Sequence, residues 1–245
     1  MGLKTFEAVA AKIRSHAGYI CFYQSGEPMM NPDIFEIIAC GQEFAQTEIH
    51  TNGTVLTDEM CERLVLSGTN ISVSVDGMTQ EVYEKYRVGG DLQKALWTLR
   101  TLKTHHARHG MRNSLRAQFM VFRHNQHEIP AFKAWCATEG IKSVIKVPGL
   151  ELNPVLEPSN RPGATRPKDV DNCVFFQNVF TILLDGSVVS CYCDYNAENA
   201  FGNILEQEVM EIWDSPRFTE FRRDAREGRL PEFCRKGCIF HSVRK

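Results

Sequence analysis

Apolar and polar positions along the chain form two alternating patterns. Short apolar runs predict buried strands, and apolar residues spaced three or four apart predict amphipathic helices. Predicted strands cover residues 19–23, 48–51, 71–75, 115–122 and 142–147, and predicted helices cover 4–16, 31–44, 57–66, 79–86, 91–109 and 128–139. Asn31 as N-cap and Pro32 at the first helical position are expected to begin the second helix. Five β/α steps of this kind predict a parallel sheet with right-handed crossovers.

Polar turns follow three of the predicted strands. They are GEP at residues 26–28, TNG at 51–53 and DG at 76–77. The carboxyl ends of parallel strands share one edge, where α/β proteins bind ligands, so these turns predict a site there. Single turns of this kind are commonly structural, and the coincidence of three at one edge favours the functional interpretation.

The candidate side chains at this edge suit a small polar ligand. Glu27 can accept hydrogen bonds from an ammonium group, and Gly26 permits close backbone approach. Ser72, Ser74 and Asp76 offer hydroxyls and a carboxylate to a sugar or another polar ligand, and Arg87 can pair with a carboxylate.

The pattern changes near residue 148. The proline-rich stretch Pro148–Pro167 lacks periodicity and predicts a connection between two modules. Beyond it, FTILLDGSVVSCYCD predicts a hairpin that turns at Asp185–Gly186, and helices are expected at 208–213 and 216–226.

The C-terminal module is rich in cysteine. Five of the nine cysteines fall within it: Cys173, Cys191, Cys193, Cys234 and Cys238. Thiolates at strand ends and tight turns converge readily on a soft metal centre, which favours metal binding over an inert core. Their spacing alone leaves an iron–sulfur cluster and tetrahedral zinc both open.

Composition narrows the class of protein. The 245 residues carry a net charge of −2 with dispersed basic residues, so no nucleic-acid partner is expected. No apolar run is long enough for a membrane span, and no membrane partner is expected. The start shows no signal-peptide pattern, so the prediction is a cytoplasmic protein whose cysteines are metal ligands rather than disulfides. His105, His106 and His109 lie near a predicted helix end, where cations suit the helix dipole, and are assigned no role.

Longer stretches resemble a known family. YICFYQSGEPMMNPDIFEII resembles the radical S-adenosylmethionine (radical SAM) enzymes, in which Gly-Gly-Glu-Pro follows the second barrel strand; Ser25 replaces the first glycine here. IHTNGTVLTDEMCERLVLSG and ISVSVDGMTQEVYEKYRVGGDLQKAL continue the resemblance. In the tail, CVFFQNVFTILLDGSVVSC, GNILEQEVMEIWDSPRFTEFR and CRKGC are similar to the SPASM or Twitch auxiliary-cluster domain.

The resemblance implies an α/β fold with two domains. Residues 1–149 would form a partial (β/α) TIM-type barrel whose first strand is missing, 150–170 a connection, and 171–245 a small cysteine-rich α+β domain. The barrel would bind S-adenosylmethionine. The resemblance implies that Gly26, Glu27 and Pro28 contact the methionyl amino group and that Ser74 and Asp76 lie near the ribose. It also implies a contact with Arg87.

The resemblance also implies an auxiliary 4Fe-4S cluster. Its ligands by position are Cys173, Cys191, Cys234 and Cys238, and Cys193 is an extra thiol that could replace Cys191. Full SPASM domains carry more cysteines and two clusters, so five cysteines imply the one-cluster Twitch arrangement.

The sequence departs from the family at one point. The C-x3-C-x2-C motif that would hold the first cluster is missing, and Cys234, Cys238 and His241 reproduce its spacing only by coincidence. Two interpretations follow. In the first, the chain is a radical SAM oxidoreductase or maturase that uses a 5′-deoxyadenosyl radical to abstract hydrogen from an unknown peptide or small molecule. Such an enzyme needs an electron donor, and this chain by itself is expected to be inactive. Alternatively, it is a non-catalytic degenerate relative that serves as a metal-binding or accessory module.

The first predicted strand bears on this choice. Without a strand before it, Tyr19–Tyr23 is expected to form an open apolar sheet edge. An evolved module would protect such an edge with charge or proline, so a truncated or mis-started reading frame is favoured.

Overall fold

A five-stranded parallel sheet is the centre of the larger part of the molecule. In the computed structural model, residues 1–23, 26–146, 177–192, 194, 196–227 and 229 are described. The strands follow one another in chain order across the sheet: β1 (Tyr19–Phe22), β2 (Gln46–Thr51), β3 (Asn70–Ser74), β4 (Leu115–Met120) and β5 (Lys142–Lys146). Every neighbouring pair is parallel, as the alternation of strands and helices predicts.

Helices connect the strands and cover one face of the sheet. They are α1 (Leu3–Ile13), α2 (Ile34–Gln42), α3 (Asp58–Leu66), α4 (Gln80–Glu84), α5 (Leu92–His109) and α6 (Ile129–Glu139), with 3-10 turns at Pro28–Met30 and Gln126–Glu128. Buried side chains of the central strands pack beneath them: Ile49, Ile71, Val73, Ala117 and Phe119. Within the described part of the chain, no helix is long and apolar enough to cross a membrane.

Local signals explain where most of these helices begin and end. Thr57 accepts a hydrogen bond from the Met60 amide at the start of α3, and Asp91 accepts one from the Lys94 amide at the start of α5. Gly110 ends α5 in the left-handed conformation, which glycine adopts without steric cost.

The predicted start of α2 is wrong by two residues. The helix begins at Ile34 after Asp33, and Asn31 lies before it in an extended conformation. The Asn31 side chain caps locally: its Oδ1 accepts from the Asp33 amide at 3.0 Å, which forms a turn that delays the helix.

The C-terminal part is a small module of strands and helices. Three antiparallel strands, β6 (Thr181–Ile182), β7 (Ser187–Val189) and β8 (Gly202–Asn203), precede α7 (Val209–Trp213) and α8 (Pro216–Arg226). The hairpin turns at Asp185–Gly186 as predicted, with Gly186 at φ 86°.

This module shares a core with the first helix. Val9 of α1 belongs to one apolar cluster with Val188, Ile212 and Phe218. Lys12 Nζ donates to the Gln207 carbonyl at 2.9 Å. The predicted connection at residues 150–170 lies outside the described residues, so the domain boundaries stay predictions.

Candidate functional site

The predicted polar turns lie together at the carboxyl edge of the sheet. Residues 26–28, 51–53 and 76–77 follow β1, β2 and β3, which are adjacent and parallel. Gly26 has φ 78°, and a Cβ added there would meet no atom within 4 Å. The backbone conformation therefore requires this glycine, and the space beside it is open.

Glu27 joins the first two turns. Its carboxylate accepts from Thr51 Oγ1 at 2.7 Å and from the Asn52 amide at 2.6 Å. A third bond, from the Met29 amide at 3.0 Å, begins the 3-10 turn. Because a carboxylate offers about four acceptor positions, these bonds leave roughly one for another donor. Contact of Glu27 with an ammonium group remains a prediction, and its structural role was not foreseen from the sequence.

Asp76 is fully buried, and both of its carboxylate oxygens have partners within the chain. Its Oδ2 lies 2.6 Å from Arg87 Nε, and its Oδ1 accepts from the Met120 amide at 2.6 Å. Burial raises the pKa of the Asp76 carboxyl, and the Arg87 charge and the Met120 N–H act against that rise. Asp76 thus fixes Arg87 at the edge of the sheet.

Two residues that sequence reasoning missed hold the turn after β3. Buried Asn125 donates from Nδ2 to the carbonyl oxygens of Asp76 and Met120, at 2.8 and 2.9 Å. Glu128 accepts from the Met78 amide and the Thr79 hydroxyl. Neither residue stands in a recognisable motif, since each acts across about 50 positions of sequence.

Gly77 is needed in this turn for a different reason. A Cβ at this position would lie 2.7 Å from the Tyr83 amide nitrogen, so the backbone of α4 approaches too closely for a side chain.

The sheet face opposite the helices is polar, and we call it the inner face. Alternate residues of a strand point to the same face, and register places those of neighbouring strands side by side. The inner face carries Glu48, His50, Ser72, Ser74, Arg116, Gln118 and Lys146. Strands of a parallel sheet are normally apolar on both faces, so these polar positions are the sequence signal that could have identified this face.

Glu48 is the electrostatic centre of the inner face. It accepts hydrogen bonds from Tyr19 Oη and His50 Nε2, and it pairs with Arg116. Burial acts to raise the pKa of Glu48, but the bonds from His50, Tyr19 and Arg116 outweigh it and lower the pKa to about 2. Tyr23 stacks on His50 with ring centroids 4.3 Å apart.

Other polar groups of this face retain bonding capacity. Arg116 Nε and Gln118 Oε1 are buried and have no hydrogen-bond partner among the described residues. Burial lowers the pKa of Lys146, and the Glu48 charge opposes this. Unsatisfied buried polar groups are costly, so these atoms are suited to contact a ligand.

The predicted metal site is described only in part. Cys191 follows β7 and Ser190, at the end of the hairpin strand as predicted. Asp194 accepts from the amides of Glu198 and Asn199 and so shapes the following loop. The remaining predicted ligands lie outside the described residues: Cys173, Cys193, Cys234 and Cys238.

Comparison with known proteins identifies the family. Residues 2–130 match the family model of the Radical SAM superfamily, which is more than half of the chain. The chain belongs to the radical SAM superfamily. Residues 173–239 match SPASM, described as an iron-sulfur cluster-binding domain. The resemblance seen in the sequence is confirmed, and so are the cofactor classes, S-adenosylmethionine and an iron–sulfur cluster, at the level of these two families.

Curated radical SAM relatives match over short segments. The AdoMet-dependent heme synthase of Methanosarcina barkeri (strain Fusaro / DSM 804) is 34% identical over 87 residues, which are 34% of this chain and 25% of that protein. The S-adenosyl-L-methionine-dependent 2-deoxy-scyllo-inosamine dehydrogenase of Niallia circulans is 35% identical over 57 residues, 23% of each chain. The matches thus span about a quarter of the length of these relatives.

A solved structure supports the fold over nearly the whole chain. Native anSMEcpe with bound AdoMet is 14% identical with a TM-score of 0.64, and the match covers 96% of this chain and 79% of that one. At this identity the likeness shows the fold alone. The predicted fold class, a partial (β/α) barrel followed by an auxiliary domain, is confirmed.

Proposed function

We propose that this chain belongs to a radical SAM oxidoreductase or maturase whose barrel binds S-adenosylmethionine at its carboxyl edge. The observation that best supports this proposal is the arrangement of three polar turns at one edge of a five-stranded sheet of this superfamily. When bound, S-adenosylmethionine and a reduced iron–sulfur cluster supply a radical that abstracts hydrogen.

The residues at the edge fit the polar groups of this cofactor. S-adenosylmethionine carries an ammonium group, a carboxylate and ribose hydroxyls. Glu27 retains roughly one acceptor position, and open space adjoins Gly26. Ser74 stands at the end of β3 on the inner face, where its hydroxyl suits the ribose. Asp76 would act indirectly, by holding Arg87 in place.

The substrate is proposed to lie along the inner face. Arg116, Lys146 and His50 surround a single carboxylate, Glu48, so donors outnumber acceptors there. Arg116 Nε has no hydrogen-bond partner within the described residues. We therefore expect a polar substrate that carries an anionic group. Small molecules and peptides can both carry such a group.

The auxiliary module is proposed to hold one 4Fe-4S cluster. Cys173, Cys191, Cys234 and Cys238 would be the ligands, with Cys193 beside them. Four thiolates suit such a cluster, and the match to an iron-sulfur cluster-binding domain favours it over zinc.

Anaerobic reconstitution with iron and sulfide tests the proposed function. The chain is expected to acquire the broad visible absorption of a 4Fe-4S cluster. Cys191→Ala combined with Cys193→Ala should remove most of it, because both neighbouring thiols are lost. Cys40→Ala is the matched control, since Cys40 is a residue of α2 that packs towards the first helix and should leave the spectrum unchanged. Tight zinc binding at these cysteines without any iron–sulfur absorption would contradict the assignment.

A further inference from the structure

Two histidines and a glutamate meet on the outer side of the helical layer. His105 and His109 are one turn apart on α5, and their rings stack with centroids 6.1 Å apart. Glu62 of α3 faces both rings. One nitrogen of each ring and a Glu62 carboxylate oxygen offer three ligand atoms that lie within 4.8 Å of one another. Histidines at positions i and i+4 on a helix face are a common arrangement for binding zinc.

The state of His105 points to a cation in this cluster. Its side chain is only 3% exposed, and its Nε2 lies 3.2 Å from Asp58 Oδ1. A carboxylate only accepts, so Nε2 is the donor in this contact, and Nδ1 is the ring nitrogen left to face a ligand. Nδ1 is buried, has no hydrogen-bond partner among the described residues, and lies 3.7 Å from Glu62 Oε1.

The spacing between His105 and Glu62 suits a metal ion better than a proton. A separation of 3.7 Å between His105 Nδ1 and Glu62 Oε1 is too long for a hydrogen bond. Zinc bonds nitrogen and oxygen at about 2.0–2.2 Å, so two ligands on a tetrahedral ion lie roughly 3.4 Å apart. His109 Nε2 is hydrogen-bonded to Glu62 Oε1 at 2.7 Å, so a hydrogen carried by Nε2 must leave that nitrogen when a metal binds there.

We propose that Glu62, His105 and His109 bind a zinc ion that joins α3 to α5. Three protein ligands leave one position for water. Asp58 orients His105 by accepting from the nitrogen that does not bind the metal, as acidic residues do at many histidine–metal sites. Arg108 Nη1 lies 3.8 Å from Glu62, and this 64% exposed side chain competes with the metal weakly because it can turn to solvent. None of the cysteines proposed for the auxiliary cluster is among these three ligands.

Zinc titration against a chromophoric chelator tests the proposal on the full chain with its iron–sulfur site reconstituted. We expect one zinc ion per chain that is lost in Glu62→Gln, His105→Gln and His109→Gln. His106→Gln is the matched control on the same helix and should bind as the unchanged chain does. Asp58→Asn should weaken binding by roughly tenfold to a hundredfold, because it removes only the orienting partner.

Two further measurements guard against misfolded variants and against zinc held by cysteines. Zinc should raise the melting temperature of the unchanged chain and of His106→Gln but not of Glu62→Gln or His109→Gln, whose altered side chains are partly exposed. Cobalt bound at this site should lack the intense thiolate charge-transfer absorption. The proposal is overturned if the three ligand variants bind zinc like the unchanged chain, or if the cobalt lost in them is thiolate-bound.

Discussion

At the scale of single residues, the structure shows how this chain satisfies the charges that it buries. Asp76 is completely buried and is matched by Arg87 and the Met120 amide. Glu48 is matched by Tyr19, His50 and Arg116. Ionised groups in the interior are stable only with such partners. Removal of one partner therefore lowers the free energy of unfolding, because the other charge stays buried without compensation.

Arg87→Met tests this at the ion pair with Asp76. The substitution keeps much of the side-chain length and leaves a carboxylate buried without its counter-charge. We expect the free energy of unfolding to fall by about 3 kcal/mol or more. Arg14→Met is the control, because Arg14 pairs with Glu43 in solvent and should cost under about 1 kcal/mol. Urea unfolding measures both, and equal losses would show that the Asp76–Arg87 pair contributes no more than a surface contact.

The lowered pKa of Glu48 predicts a dependence of stability on pH. The pKa in the folded chain is about 2, below the ordinary value of 4.5, so the folded state favours the ionised form. This stabilisation is complete above about pH 4.5 and is lost as the pH falls towards 2.

The Glu48→Gln variant should therefore lose less stability than the unchanged chain when the pH is lowered from 5 to 3, roughly the acidic range in which this pKa shift acts. The measurement is the midpoint of urea unfolding at each pH. Glu81→Gln, at a side chain 85% exposed, should follow the unchanged chain. If the unchanged chain and the Glu48→Gln variant lose stability equally as the pH falls, Glu48 does not have a lowered pKa.

At the scale of elements, the sequence predicts the helices and strands well, because their signals are local. Caps at Thr57 and Asp91 and the glycine at 110 are within a few residues of the ends they set. The start of α2 was mispredicted because two signals compete there: Asn31 can cap a helix or form its own turn, and in the structure it forms the turn.

The candidate site is less predictable than the elements that carry it. The turns after β1, β2 and β3 were found from sequence because strand ends are recognisable. The bonds of Glu27 to Thr51 and Asn52 were not, since they join positions about 25 apart and depend on the register of β1 with β2. His105 and His109 were assigned no role because their partner Glu62 lies on another helix.

At the scale of the whole molecule, β1 has an open side. Within the described residues it pairs only with β2, which agrees with the predicted sheet edge. Tyr19 in this strand and Tyr23 directly after it are 45% and 41% exposed. The first helix, in contrast, is covered on two sides: Phe6 and Ala10 pack towards α2, and Val9 packs into the C-terminal module. The module is thus attached to the barrel through α1.

The 245-residue chain by itself is expected not to cleave S-adenosylmethionine. Cleavage of S-adenosylmethionine needs an electron from an iron–sulfur cluster that contacts it, and these 245 residues contain no C-x3-C-x2-C to hold one. With dithionite as reductant, the reconstituted chain should therefore form no 5′-deoxyadenosine above the level of a sample without protein. The measurement is product detection by chromatography and mass spectrometry. If the chain does form 5′-deoxyadenosine, and Cys191→Ala with Cys193→Ala forms as much, then a cluster outside the proposed thiolates serves the cofactor and the assignment is wrong.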